Sequence, residues 1–205
     1  MVAPGLAGVG HVRLASASER RLMLLRQLGL EPEVMAVDID ESPHPGENPV
    51  AYCLRMARTK ASTGHGPGIG LCLGADTVVI RDGEILGKPR DADEARRHLL
   101  GLSGRAHRVA TAVAVAAGRG PSIQSAVAVT DVWFKVLTLG EIEAYLASGE
   151  SMDKAGSYGI QGLGAFMVTR IEGSYTGVVG LPLFETVSLL RWGAHLYRLE
   201  GDAGG

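Results

Sequence analysis

A chain of 205 residues, 46% hydrophobic and 20% charged, can bury one sizeable core and is too apolar to remain disordered. A single domain over 1–205 is expected, with its core over about 12–199 and a flexible tail at 201–205. The net charge of -2 and the pI of about 6.3 exclude a global basic field for a long nucleic acid, while a small anion could still be held by a local cluster of cations.

The longest apolar run, Val109 to Ala117, falls far below a membrane span. Met1 to His11 lacks the basic start and apolar stretch of a secretory signal, so a cytoplasmic protein is expected. Val12 to Ala15 reads as a short strand and Ser16-Ala17-Ser18 as a turn. The helix behind it places Leu22, Leu25 and Leu28 on one face and stops at Gly29. Val34 to Ile39 predicts a second strand, running into an acidic, proline-rich loop from Asp38 to Pro49. Asn48 is suited to cap the next helix with Pro49 in its first turn, and Cys53, Leu54, Ala57 and Ala61 form its apolar stripe.

Leu71 to Ile80 and Glu84 to Leu86 flank Asp82-Gly83, a dipeptide that accepts the positive φ angles of a tight hairpin. A helix follows from Asp91, where Glu94 completes a capping-box pattern. Val109 to Ala117 and Ile123 to Leu137 are β-rich runs around a Gly118-Arg119-Gly120-Pro121 turn, expected to pair antiparallel, and Thr138 with Glu141 makes another capping box. Ala155 to Gly164 is glycine-rich, Ala165 to Ile171 returns to strand character, and a last helix runs from near Pro182 towards Leu199. Strand-helix units mixed with long hairpins predict an α/β fold: a mixed, twisted, elongated sheet flanked by helices, with a cleft along it. The two cysteines, Cys53 and Cys72, are too few and too far apart for a zinc site or a disulfide framework, and are expected as buried small hydrophobes.

Chemistry is carried by a few segments. Ser16, Ser18, Arg20 and Arg21 stand at a strand exit and the start of a helix. Adjacent arginines there face the positive end of the helix dipole, a cost that a bound phosphate would offset; the alternative is two solvated arginines behind an ordinary Ser18 cap. Asp76 interrupts an apolar strand, between Leu71-Cys72-Leu73 and Val78-Val79-Ile80. A buried carboxylate is costly unless it binds a cation, takes part in chemistry, or is satisfied by backbone amides. Lys88 is held between Gly87 and Pro89, and Lys60, Arg55 and Arg58 add positive charge, although Lys60 by itself reads as a solvated helical lysine.

Glu41, in an acidic loop that is otherwise simply solvated, offers a second carboxylate for Mg²⁺ or Mn²⁺. From Asp153 to Gly164, four glycines surround Gln161, whose amide can offer a donor and an acceptor to a base edge. There is no Walker A loop, no dinucleotide fingerprint and no Gly-x-Ser-x-Gly elbow, and the six histidines fall at no metal-ligand spacing. What is left is an acid near several cations, the equipment for metal-assisted attack of water on a phosphate.

Taken in order, these segments resemble the Maf family of nucleoside triphosphate pyrophosphatases, once described as septum formation inhibitors. The likeness runs through Leu14-Ala-Ser-Ala-Ser18, Tyr52-Cys-Leu-Arg-Met-Ala-Arg-Thr-Lys60, Gly74-Ala-Asp-Thr-Val-Val79, Leu86-Gly-Lys-Pro-Arg-Asp91, Asp153-Lys-Ala-Gly-Ser-Tyr-Gly-Ile-Gln-Gly162, Ile171-Glu-Gly-Ser-Tyr175 and Val179-Gly-Leu-Pro-Leu183. The resemblance implies a fold akin to inosine triphosphate pyrophosphatase with a deep central cleft, a homodimer, and cleavage of a nucleoside triphosphate to monophosphate and pyrophosphate. It assigns Asp76 as proton acceptor and Ser16, Arg20, Arg21, Lys60 and Lys88 to the triphosphate. Glu41 and Asp76 become metal ligands for Mg²⁺ or Mn²⁺.

Arg20, Thr77 and Gln161 match members acting on dTTP and UTP, and imply that Thr77 and Gln161 govern base choice. Broader specificity, a 7-methyl-GTP preference, and a nucleotide-binding regulator of septum formation are the alternatives. Two residues depart from the family pattern: Glu19 replaces a proline and adds negative charge near the phosphate cations, and Lys135 replaces an arginine, keeping charge without bidentate geometry.

Overall fold

A computed structural model describes residues 2–118 and 122–202. Strands β1 (Val12–Leu14), β2 (Glu33–Val34), β3 (Leu71–Arg81), β4 (Glu84–Leu86), β5 (Ala106–Ala117), β6 (Ser122–Phe134) and β7 (Val168–Glu172) form one seven-stranded sheet. Its order is β2-β1-β3-β5-β6-β7, with β4 also on β3. β1 is parallel to β2 and β3 and every other pairing is antiparallel, so the mixed α/β expectation holds. The helices are α1 (Glu19–Gln27), α2 (Pro49–Gly64), α3 (Ala92–Leu102), α4 (Leu139–Ala147), α5 (Tyr175–Val179) and α6 (Leu183–Asp202).

Local chemistry explains the element ends. Ser18 accepts from the Arg21 amide and Asn48 from those of Val50 and Ala51, as their positions predict. Thr138 and Glu141 form a reciprocal capping box. At α3 the Asp91 side chain accepts from the Glu94 amide, but Glu94 reaches the Arg90 amide, so the box closes one residue early. Asp82 and Gly83 have φ of 52° and 88°, the geometry of a tight turn, and pin β4 to the end of β3.

Several boundaries differ from expectation. The second strand stops at Val34, after which only the Met35 amide still bonds to β1. Ala165 to Met167 belongs to a 3-10 turn, and the strand begins at Val168. The short helix α5, capped by Ser174, was not anticipated. α6 continues to Asp202, so the first two residues of the proposed tail are helical. Residues 203–205, and the Arg119-Gly120-Pro121 part of the predicted turn, lie outside the described residues.

Alternate residues of β3 face two different cores. Cys72, Val78 and Ile80 pack with Cys53, Met56, Ala57 and Ala61 of α2, and both cysteines are buried and unbridged. Leu71, Leu73 and Ala75 pack with Leu24 and Leu25 of α1 and Leu190 and Ala194 of α6. A third cluster joins Val79 to Leu99, Leu102, Phe134, Ile142 and Tyr158. Among the described residues, no helix is long and apolar enough to cross a membrane.

Candidate active site

The site arises from a gap in the sheet. One edge of β3 pairs with β5 from Leu71 to Ile80. The other edge is shared: β1 takes Leu71 to Leu73 and β4 takes Val79 to Arg81, which leaves Gly74 to Val78 without a strand on that side. A cleft of about 620 Å³ opens there, lined by Ser16, Arg20, Arg21, Glu41, Lys60, Asp76, Thr77, Lys88 and Gln161. Every residue that the resemblance assigns to the site therefore lines one cavity. Arg55 and Arg58 are not on its wall, and Arg55 is instead paired with Glu47 at 2.6 Å.

On the α2 side stands the acid. Gly74 shares that face, and a Cβ on it would lie 2.4 Å from the backbone of Ala57 and Ala61. Only a residue without a side chain lets α2 settle so close, and that approach brings Lys60 onto Asp76. Lys60 Nζ donates to Asp76 Oδ1 at 2.8 Å and lies 2.7 Å from Glu41 Oε1. Asp76 and Lys60 are 9% and 8% exposed. The acid is thus held by a cation rather than by backbone amides, and Lys60 is no solvated lysine. Beneath it, burial and then the Asp76 charge push the Cys53 thiol up to about 12, so this cysteine stays a neutral wall. The Tyr52 hydroxyl, raised to about 12 mainly by burial, donates to the Glu41 carbonyl at 2.8 Å and steadies the acidic loop.

On the opposite face stands an arginine. Arg21 donates through Nη1 to Ser16 Oγ at 3.1 Å, through Nε to the Gly180 carbonyl at 3.0 Å, and through Nη2 to Thr77 Oγ1 at 3.3 Å. Burial lowers its pKa, with the Asp76 charge acting the other way; from an ordinary value of 12.5 it remains a cation. Arg20 reaches across the mouth to Asp153 at 2.9 Å, and Asp153 also binds Lys154 at 2.7 Å. Lys88 is exposed on the rim with no ion pair among the described residues. Glu19 lines the same cleft, as the sequence departure warned. Lys135 does not line it and pairs with Glu141 at the start of α4.

Sequence reasoning missed two partners that orient these groups: Asp153 and the Gly180 carbonyl. Asp153 was visible beside Lys154 in a glycine-rich run, but nothing in the pattern tied it to Arg20, 133 residues away. No group of three or more His, Cys, Asp or Glu side chains converges among the described residues. A divalent cation would therefore rest on Glu41 and Asp76, with its remaining positions open to water or ligand oxygens.

Comparison with known proteins gives concordant findings. A family described as Maf-like protein matches residues 11–192. A dTTP/UTP pyrophosphatase of Chromobacterium violaceum is 53% identical over 187 residues, covering 88% of this chain and 93% of that protein. A dTTP/UTP pyrophosphatase of an Anaeromyxobacter species is 52% identical over 195 residues, 94% of this chain and 93% of its own. A solved HAM1 protein from Coxiella burnetii aligns over 95% of this chain and 98% of its own, at 17% identity and a TM-score of 0.44, too loose a likeness to carry an argument.

Proposed function

The chain belongs to the family of Maf-like proteins, and on that footing we propose that it is a nucleoside triphosphate pyrophosphatase cleaving dTTP and UTP to monophosphate and pyrophosphate. One observation carries the proposal. A half-neutralised acid, Asp76, and a fixed arginine, Arg21, open into the same cleft from the two faces of one strand. The names of relatives about half identical to this chain support the same activity and the same bases.

In this mechanism Arg20, Arg21, Lys60 and Lys88 hold the triphosphate and take up charge as pyrophosphate leaves. Asp76 orients the attacking water and accepts its proton, while water oxygen bonds to the α-phosphorus and the bridge to the β-phosphate breaks. Gln161, on the cleft wall, reads the base edge. Glu41 and Asp76 are hard oxygen donors that already converge on a single cationic nitrogen, a donor set that fits Mg²⁺ or Mn²⁺. Such an ion supplies Lewis-acid polarisation and charge neutralisation at the phosphates. A cytoplasmic homodimer completes the proposal, and sedimentation of the purified protein at twice the chain mass checks the assembly.

The test is pyrophosphate release from a panel of nucleoside triphosphates, with and without Mg²⁺ or Mn²⁺. dTTP and UTP should lead, and chelation should silence them. Binding without cleavage would make the protein a nucleotide-dependent regulator, and preference for a purine or 7-methyl-GTP would overturn the base assignment.

A further inference from the structure

Beneath the cleft, Thr111 of β5 is fully buried, although its neighbours on the strand are apolar. Its register partner on β3 is Thr77, and the two hydroxyl oxygens lie 3.0 Å apart. Thr111 Oγ1 is also 2.7 Å from the Gly177 carbonyl. A carbonyl only accepts, and a threonine hydroxyl has a single proton to give. The Thr111 proton therefore goes to Gly177, and the Thr77 proton is drawn to Thr111. That polarity leaves a Thr77 lone pair facing Arg21 Nη2, at 3.3 Å. The same short segment closes the circuit from above, because Gly180, three residues past Gly177, accepts from Arg21 Nε at 3.0 Å.

Resting on the function proposed above, we propose that Thr111 is a positioning residue: through Thr77 it fixes the Arg21 guanidinium for the triphosphate. Three elements are involved: the buried strand β5, the α5 segment and the floor of β3. Each bond in the chain has one permitted direction, so the arginine is preset before a ligand arrives and less freedom is lost when the phosphate binds. The Thr77 proton is committed to Thr111 and one of its two lone pairs to the guanidinium, so a second lone pair stays available to accept.

The test measures binding of inorganic tripolyphosphate and of non-hydrolysable dTTP and UTP analogues to the full chain by calorimetry. Thr111→Val should weaken all three by roughly tenfold, the size expected for one hydrogen bond to a charged group. Thr111→Ser, which restores the hydroxyl, should recover the affinity. Thr77→Val removes the partly exposed link and should cost the same, so the proposal stays testable even if Thr111→Val fails to fold. The double variant should be no worse than either single one.

Additive losses, or a folded Thr111→Val with undiminished tripolyphosphate binding, overturn the relay. A loss seen with the nucleotide analogues and not with tripolyphosphate returns Thr77 to the base. If the unaltered protein binds no nucleotide at all, the enzymatic reading fails first and the relay with it, an outcome recognisable before any variant is made.

Discussion

Two consecutive residues of β3 illustrate opposite ways of holding charge in a protein interior. On the Asp76 face, two carboxylates share one lysine, Lys60, at 2.8 and 2.7 Å, so each is only partly neutralised. On the Thr77 face, Arg21 has no carboxylate within bonding reach among the described residues and is held by two hydroxyls and a carbonyl. The first arrangement has partners that can be exchanged for a metal or a phosphate. The second keeps a full positive charge unspent, because neutral acceptors fix the guanidinium without cancelling it. The strand thus separates a face suited to chemistry from a face suited to grip.

Variants can break this comparison, from the largest effect downwards. Asp76→Asn keeps shape and removes the charge that orients water; pyrophosphate release should fall by about a thousandfold or more, with the thermal midpoint little changed. An active Asp76→Asn enzyme would falsify the division of labour. Arg21→Ala strikes the other face, and there KM for the triphosphate should rise by roughly a hundredfold, more than kcat falls, as expected for lost charge-assisted bonds. Equal losses in both kinetic constants would mean that grip and chemistry are not separated.

Lys60→Met tests exchangeability directly. With the competing ammonium gone, Mn²⁺ should bind the nucleotide-free protein about fivefold more tightly, read by electron paramagnetic resonance. Unaltered or weaker binding would dissociate Glu41 and Asp76 from the cation.

A smaller effect, common to both faces, comes from the wall they share. His107 is held near 4 by burial and contacts the Tyr158 hydroxyl at 2.7 Å, and Tyr158 lines the cleft. Its folded pKa lies below the ordinary 6.5, so the unfolded chain binds the extra proton. Stability should be unaffected above pH 6.5 and decline as pH falls from there towards 4, by an amount on the order of a few kcal/mol at most. His107→Phe should flatten that part of a urea-denaturation profile; an identical slope would clear His107 of the effect.

Much of this was legible in the sequence, for identifiable reasons. Asp76 stood out because a carboxylate in an apolar strand breaks the pattern, and the hairpin at Asp82-Gly83 announced itself through its φ requirement. Lys60 could have been found by the same logic: it falls three and four residues after the buried Ala57 and Met56, on the inward stripe of α2. Read as one lysine on a helix, it looked solvated. Thr111 was hidden for the opposite reason, since threonine is at home in a strand and disturbs no pattern. The strand at Val34 to Ile39 was overestimated because apolar alternation does not reveal whether a partner edge remains available. α5 is five residues long, too short for any periodicity to show.

The interruption along β3 has one more consequence. Its two ends are set by backbone pairing, at Leu73 with β1 and at Val79 with β4, and six steps of strand span roughly 20 Å. The opening is therefore a gauge whose length is counted in residues and cannot be stretched by rearranging loops. A change at Asp82-Gly83 that slipped β4 along its neighbour would move the gauge's far stop by whole residues. Two turn positions that do not line the cleft thus help set the length of the slot.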